Sequence, residues 1–390
     1  MSAATERVAR ALAHQTPDRT PLFEIYSPWH PIYWDICGRT IATDAGMAWD
    51  AMAEGVSYEE MLRANVEAQF LVNRFFEVDM VRLNGGPPRQ YTPPVKTGPR
   101  TWTLSGVPYR YDEKTDLVVL ENPAEAASYS HRYDEEQLRM QLEEWDGKVP
   151  PLGGPDPVVE GVRRLAEAEG IEWTYMGEIG CGTGVAFYPP FMLMWLIDEP
   201  ALIRRWMEYQ MAHAFPGTRQ LVESGCSVIA MGGDVSCDKG PFISPAQYRE
   251  FILPAIQAHV DLIHQLGARA VYTSDGNHWP IKQEYFFDSR IDGYKEVDQA
   301  AGMNWPRLIA EGVADRICII GNLDARHNLC HGTPESIKAE VVACLDYGRQ
   351  CRGGHILHAS HSVHEDMPVA NYRAAVAAYR EYFGLEPLPR

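Results

Sequence analysis

Polar and titratable residues recur just beyond the apolar runs of this sequence. Glu24, Tyr26 and His30 follow the first run, Asn84 the second, Glu178 the third and Asp234 the fourth. The fifth leads into Thr273-Ser274-Asp275-Gly276-Asn277, the sixth into Lys295-Glu296, the seventh into Asn322 and Asp324, and the eighth into His358 and His361. Asp275, His361 and Tyr26 are of types that move protons, and are the candidates for acid–base work. Glu24, His30, Asn84, Glu178, Asp234, Asn277 and Asn322 are the candidates for holding a substrate. Singly, an Asp or Asn after a strand is as well explained as the cap of the next helix. As a ring they are not, because apolar side chains would fill the space more cheaply if nothing bound there.

Residues so far apart in sequence meet only if a repeated element brings them to one end of the fold. Eight candidate strands supply it, at 21–25, 79–83, 173–177, 227–232, 268–274, 291–297, 316–321 and 354–359. Several are short continuous apolar runs, as expected of parallel strands covered on both faces. Helical segments lie between most of them, clearest at 198–223 and 245–266. Ser244-Pro245 and Thr333-Pro334 each place a capping residue before a first-turn proline. Eight such units predict one α/β domain over 1–390, a (β/α)8 TIM barrel whose chemistry sits at the C-terminal ends of its strands.

Residues 101–120, TWTLSGVPYRYDEKTDLVVL, interrupt the alternation. Aromatic and β-branched runs split by turn residues predict a β-hairpin insert after the second strand, within about 86–122, lying over the barrel top. Gly180-Cys181-Gly182-Thr183-Gly184 has the look of a phosphate loop but neither a Walker lysine nor a complete GxGxxG, so it reads better as a plain loop. Tyr26, Trp29, His30, Tyr33 and Trp34 either line an apolar pocket or pack as a lid. His327 and His331 flank Cys330; a helix start explains them better than a metal.

With Lys plus Arg at 35 and Asp plus Glu at 53, the formal net charge is −18. No basic run offsets it, which argues against a nucleic-acid partner. The first twenty residues lack the long apolar core of a signal peptide, and no stretch is long and apolar enough to span a bilayer. Eight cysteines without CxxC spacing fit reduced thiols. A cytoplasmic location is the expectation.

Several motifs together resemble the uroporphyrinogen decarboxylase superfamily. They are Glu6-Arg7-Val8-Ala9-Arg10-Ala11-Leu12 with Pro17-Asp18-Arg19-Thr20-Pro21, then Gly240-Pro241-Phe242-Ile243-Ser244-Pro245 with Phe251-Ile252-Leu253-Pro254. Ser274-Asp275-Gly276-Asn277, Gly321-Asn322-Leu323-Asp324, and Ser360-His361-Ser362 with Met367-Pro368 and Asn371-Tyr372 complete the set. The resemblance spans nearly the whole chain. It implies a barrel enzyme of a superfamily that holds the decarboxylase, zinc-dependent methyltransferases serving corrinoid proteins, and cobalamin-independent methionine synthase. The decarboxylase branch carries arginines after its first strand; here FEIYSPWHPIYWDICGR has none before Arg39. The methyltransferase branch implies a zinc site from His-x-Cys, a Glu and a final Cys, which fall here on Thr273, Asp275, Glu296 and His361. Only the Glu is kept, so the implied set is Asp275, Glu296 and His361, a harder oxygen and nitrogen site than thiolates make.

The resemblance thus implies a methyltransferase that takes a methyl group from an O-methyl compound, such as a methoxylated aromatic, or an N-methyl compound. A corrinoid on a separate partner protein would accept it, zinc would polarise the leaving oxygen, and the chain would be a homodimer. The alternative is a decarboxylase or lyase that works without a corrinoid, with Asp275, His361 and Tyr26 as acid–base groups. A reading of a different class is a small-molecule or tetrapyrrole binding protein.

Overall fold

Each of the eight apolar runs forms a short parallel strand, because both of its faces can be covered. The computed structural model describes residues 2–122, 134–149, 152–180 and 190–389. The barrel strands are β1 Phe23–Glu24 and β2 Met80–Arg82, then, past an insert, β7 Thr174–Gly180, β8 Val228–Gly232, β11 Arg269–Thr273, β12 Gly293–Lys295, β13 Cys318–Ile320 and β14 His355–Ile356. They pair in that order, all parallel. Leu22 bridges Leu357 in parallel, and Phe23 N donates to Leu357 O at 3.0 Å, which closes the ring. The fold is the expected α/β TIM barrel.

The insert is larger than the expected hairpin. β3 Val95–Gly98, β4 Thr101–Leu104, β5 Val107–Asp112 and β6 Leu117–Leu120 make a four-stranded antiparallel sheet. β3 escapes a sequence reading because its residues are mostly exposed and carry no apolar period. The first four helices are α1 Ala3–Leu12, α2 Pro31–Cys37, α3 Ala45–Glu54 and α4 Tyr58–Phe75, of which α3 packs against the insert. Side chains of Ser2, Asp44 and Ser57 cap α1, α3 and α4. Trp102 of β4 is buried and donates to Asp50 Oδ1 at 3.0 Å, which ties the insert to α3. A small hairpin, β9 Ser236–Cys237 with β10 Gly240–Pro241, follows β8.

Ser244 and Thr333 start their helices with full capping boxes. The 245–266 segment is not one α-helix; Tyr248–Ile252 is a π-turn between Pro245–Gln247 and Leu253–Gln265. No described helix is long and apolar enough to cross a membrane. The loop beyond Gly180 that resembles a phosphate cradle lies almost wholly outside the described residues.

Two layers make the core. Val8, Ala11 and Leu12 of α1 plug the barrel floor against Phe23, Met80, Met176 and Val271. Burying a side chain such as Leu12 contributes about 2 kcal/mol. A larger cluster fills the space between strands and outer helices. The inside of the barrel floor is thus apolar, and charged side chains enter the lumen towards its C-terminal end.

Candidate active site

The lumen changes character along the strands. Met80, Met176 and Ile356 belong to the apolar floor. Two residues on, the period of the strand brings in Arg82, Glu178 and His358. Arg82 Nε lies 2.7 Å from Glu178 Oε2. Lys295, at the end of β12, is fully buried, with Nζ 2.9 Å from Glu296 Oε1. Neighbours in a strand should point opposite ways. Glu296 escapes this through a left-handed backbone, φ 66°, a conformation that non-glycine residues adopt at a cost.

A second buried pair crosses from β14 to β1. His358 Nδ1 lies 2.8 Å from Glu24 Oε1, an ion-pair distance without hydrogen-bond alignment. Glu24 also accepts from Ile25 N at 2.9 Å and Ala359 N at 3.3 Å. His358 Nε2 is buried and has no hydrogen-bond partner among the described residues. Buried charges without partners are costly, so the pairing explains how these residues are tolerated, not why they are there.

Above this layer opens a cavity of about 590 Å3. Asp275 and His361 line it, with Asp298, Arg326, His364 and Asp366. Asp275 is placed by the turn after β11. Gly276 has φ 91°, and a Cβ there would sit 2.9 Å from the Ser236 carbonyl, so only glycine lets this loop approach the β9–β10 hairpin. His278 locks the same contact, with Nδ1 2.9 Å from Ser236 Oγ and Nε2 3.0 Å from Ser274 O.

The carboxylates are strongly coupled. Burial raises the Asp234 pKa to about 6, and the negative charges of Asp275 and Glu296 add to the effect. Burial and Glu296 likewise raise Asp275, while His361 opposes them. Burial pushes Glu296 up too, but Lys295 and His361 outweigh it and hold Glu296 below its ordinary value. The site therefore contains one carboxylate kept ionised and two that tend to keep protons, the pattern of an acid–base site. Arg326 does not relieve the cluster freely. Its guanidinium binds Asp238 at 2.9 Å and Asp298 at 2.9 Å.

The structure sorts the sequence candidates. Asp275, Glu296, His361 and Asp234 interact with one another, although only Asp275 and His361 line the mouth cavity. Glu178 is held in an ion pair with Arg82, and Glu24 faces His358 at 2.8 Å. Asn84 lines a different cavity, over β1 and β2, and donates to Tyr26 O at 2.7 Å. Asn277 accepts from Trp279 N at 3.1 Å and so caps the turn that follows.

Three further candidates are packed away from the mouth cavity. Tyr26 is buried against Phe76 and Tyr372, its hydroxyl 3.1 Å from that of Tyr372, and burial drives its pKa well above the ordinary value. His30 caps α2 by accepting from Ile32 N at 3.1 Å, with its other nitrogen on Met367 O at 3.0 Å. Asn322 is fully buried and donates to Met303 O at 3.1 Å. Of the aromatic cluster, Trp29 and Tyr33 line the second cavity. Lys295 and His358 were visible in the sequence, but nothing there assigned them partners. Asp298, Arg326, His364 and Asp366 lie in loops with no local signal.

The fit of zinc can be tested on the donor set. Among the described residues no group of three His, Cys, Asp or Glu side chains is arranged to hold a metal ion. Glu296 already has an ammonium counter-ion in Lys295. As placed, Asp275, Glu296 and His361 do not fit zinc.

A closed (β/α)8 barrel with coupled titratable groups at the C-terminal mouth defines an enzyme-type scaffold. The sequence model of the family described as uroporphyrinogen decarboxylase (URO-D) matches residues 135–382. The chain belongs to that family. It is 30% identical over 267 residues to the uroporphyrinogen decarboxylase of Pseudoalteromonas translucida, covering 60% of this chain and 67% of that protein. It is 25% identical to the one from Xanthomonas axonopodis pv. citri, over 93% and 94% of the two chains. Among solved structures, a methyltransferase from Methanosarcina mazei shares the fold with a TM-score of 0.66 at 20% identity, over 97% of this chain and 99% of that one.

Proposed function

We propose that this enzyme removes the methyl group from an O-methyl compound and passes it to a corrinoid carried by a separate protein. The observation that carries the reading is the carboxyl cluster at the mouth, with Asp275 on the cavity wall and Asp234 coupled to it, both raised by burial and by neighbouring negative charge. When a methyl–oxygen bond breaks, its electron pair goes to oxygen. A phenoxide or alkoxide leaves readily only if it receives a proton as the bond breaks. Asp275 supplies that proton, and the Asp234–Asp275 pair takes one back from solvent. His361 lies on the same wall and stabilises the carboxylate that results. An N-methylammonium substrate leaves as a neutral amine and needs no such acid, so the site favours oxygen over nitrogen. The corrinoid supplies the nucleophile.

The second reading is a decarboxylase or lyase acting without a corrinoid, and the names of the curated relatives favour it. The same acid would protonate the carbanion left by loss of CO2. Against it stands the charge of the mouth. Arg326 is committed to Asp238 and Asp298, and Arg82 to Glu178, so neither is free to hold substrate carboxylates.

The deciding experiment incubates the pure protein with a reduced corrinoid protein and a panel of methoxylated aromatics, methylamines and carboxylated aromatics. Methylation of the corrinoid is read by its absorbance and CO2 release in parallel. The proposal expects methylation from ethers and its loss in Asp275→Asn. CO2 release without any methylation would establish the decarboxylase reading instead.

A further inference from the structure

A second cavity, of about 310 Å3, opens on the same side of the barrel, over β1 and β2. Its floor is buried and its rim, at Pro28, Gly85 and Pro88, is exposed, so it is reachable from solvent. It differs from the mouth in kind. Among the described residues no charged side chain lines it, whereas three carboxylates and Arg326 line the mouth cavity. An ion would give up its hydration there without compensation, so the occupant must be neutral.

The walls specify more. Two indoles, Trp29 and Trp49, and the Tyr33 ring face the space. Trp49 is fixed from behind by the insert, with ring centroids 5.8 Å from Trp102 and 4.9 Å from Tyr109. Trp29 is held at the rim in a left-handed backbone, φ 61°, which costs about 1 kcal/mol or more for a residue with a Cβ. Rigid flat walls of this kind suit a flat guest.

Polar groups are confined to one edge, made by Asn65, Gln69 and Asn84. Gln69 and Asn84 satisfy each other and their surroundings. Asn84 N donates to Gln69 Oε1 at 2.6 Å, Gln69 Nε2 donates to Asn65 Oδ1 at 2.7 Å, and Asn84 Nδ2 donates to Tyr26 O at 2.7 Å. The Asn65 amide nitrogen is left as a donor with no partner among the described residues. A site with aromatic walls, one spare donor and a volume near the lower end of small-molecule pockets, roughly 300–1,000 Å3, takes a small flat acceptor.

We propose that this cavity binds a neutral, single-ring aromatic compound carrying an acceptor oxygen, such as an aryl ether or a phenol. The inference concerns binding alone and stands whether or not the barrel mouth transfers methyl groups.

The test uses the full-length protein, with anisole as probe and benzoate as its charged counterpart. Binding is read by tryptophan emission, since two indoles form the walls, and by calorimetry. Anisole is expected to bind at roughly millimolar concentration or tighter, and benzoate at least about tenfold more weakly. Ala42→Phe fills the space from a half-buried wall position and is expected to abolish binding. Asn65→Leu keeps the cavity open and removes the donor; about a tenfold loss is expected for anisole. Should Ala42→Phe fail to fold, Asn65→Leu decides alone. Absence of binding by both anisole and phenol, equal binding of benzoate, or undiminished binding in a folded Ala42→Phe or Asn65→Leu protein would each overturn the proposal.

Discussion

Lys295 Nζ sits 2.9 Å from Glu296 Oε1, and the two side chains meet although they are sequence neighbours at the end of a strand. The lysine is completely buried, so its ammonium group depends on this carboxylate, and the carboxylate on the ammonium. Removing one partner of a buried pair leaves an uncompensated charge and costs about 3–5 kcal/mol, far more than the pair itself contributes. Lys295→Met is therefore expected to lower the denaturation midpoint by that amount, and Lys295→Met with Glu296→Gln to recover most of it. A single variant within about 1 kcal/mol of the parent would show that something else neutralises Glu296.

The same pair shows where sequence reasoning stops. The eight strands were legible because apolar runs recur at barrel spacing, and Asp275, His361, Asp234 and Glu296 were legible as residues beyond strand ends. Which of those side chains turn inward was not. β1 is only two residues long, so strand alternation does not fix the later residues Tyr26 and His30; one entered the core and the other a helix cap. Asn322 went the same way, because a buried carbonyl of Met303 needed a donor. The pairing of Lys295 with Glu296 depends on the positive φ at Glu296, which no residue type announces.

Gly276 carries a sharper expectation. A methyl group there would meet the Ser236 carbonyl at 2.9 Å while the backbone stays at φ 91°. Gly276→Ala should cost about 1–3 kcal/mol through strain and steric displacement. Because the loop also carries Asp275, activity should fall more than stability does at temperatures where the variant is folded. Chemical denaturation alongside turnover separates the two. A variant with full stability and full activity would mean that the loop relaxes without moving the carboxylate.

The Glu24–His358 pair lies beneath the mouth and is closed to solvent. His358→Leu removes the imidazole that faces Glu24 at 2.8 Å and leaves that buried carboxyl with its two backbone donors alone, a loss of about 3 kcal/mol. Glu24→Gln in the same background should restore part of the stability by removing the buried charge, although its single amide oxygen can accept from only one of Ile25 N and Ala359 N, which bond different carboxylate oxygens in the parent. If stability returns while turnover does not, the pair serves the chemistry above it. Return of both would reduce it to packing.

The last expectation concerns pH. Burial first, then Asp275 and Glu296, raise the Asp234 pKa to about 6, against about 3.9 for a free aspartate. Between those values the folded state binds more protons than the unfolded state. Stability contributed through Asp234 is therefore highest below about pH 4, falls as pH rises, and is lost above about pH 6. Two units would amount to about 3 kcal/mol for a fully buried group. Asp234 keeps part of its surface in water, so screening reduces this to about 1 kcal/mol. Asp234→Asn should accordingly be about 1 kcal/mol more stable than the parent near pH 7 and no more stable near pH 4. Turnover should follow the same protons: if the Asp234–Asp275 pair donates to the leaving oxygen, kcat/KM declines above about pH 6, and Asp234→Asn moves that decline to lower pH, because the pair loses the member that holds its proton up to about that pH. Urea midpoints at several pH values and a pH–rate profile test both halves. A stability difference independent of pH would show that Asp234 titrates normally, and a rate that rises through about pH 6 would point to a base at the mouth in place of an acid.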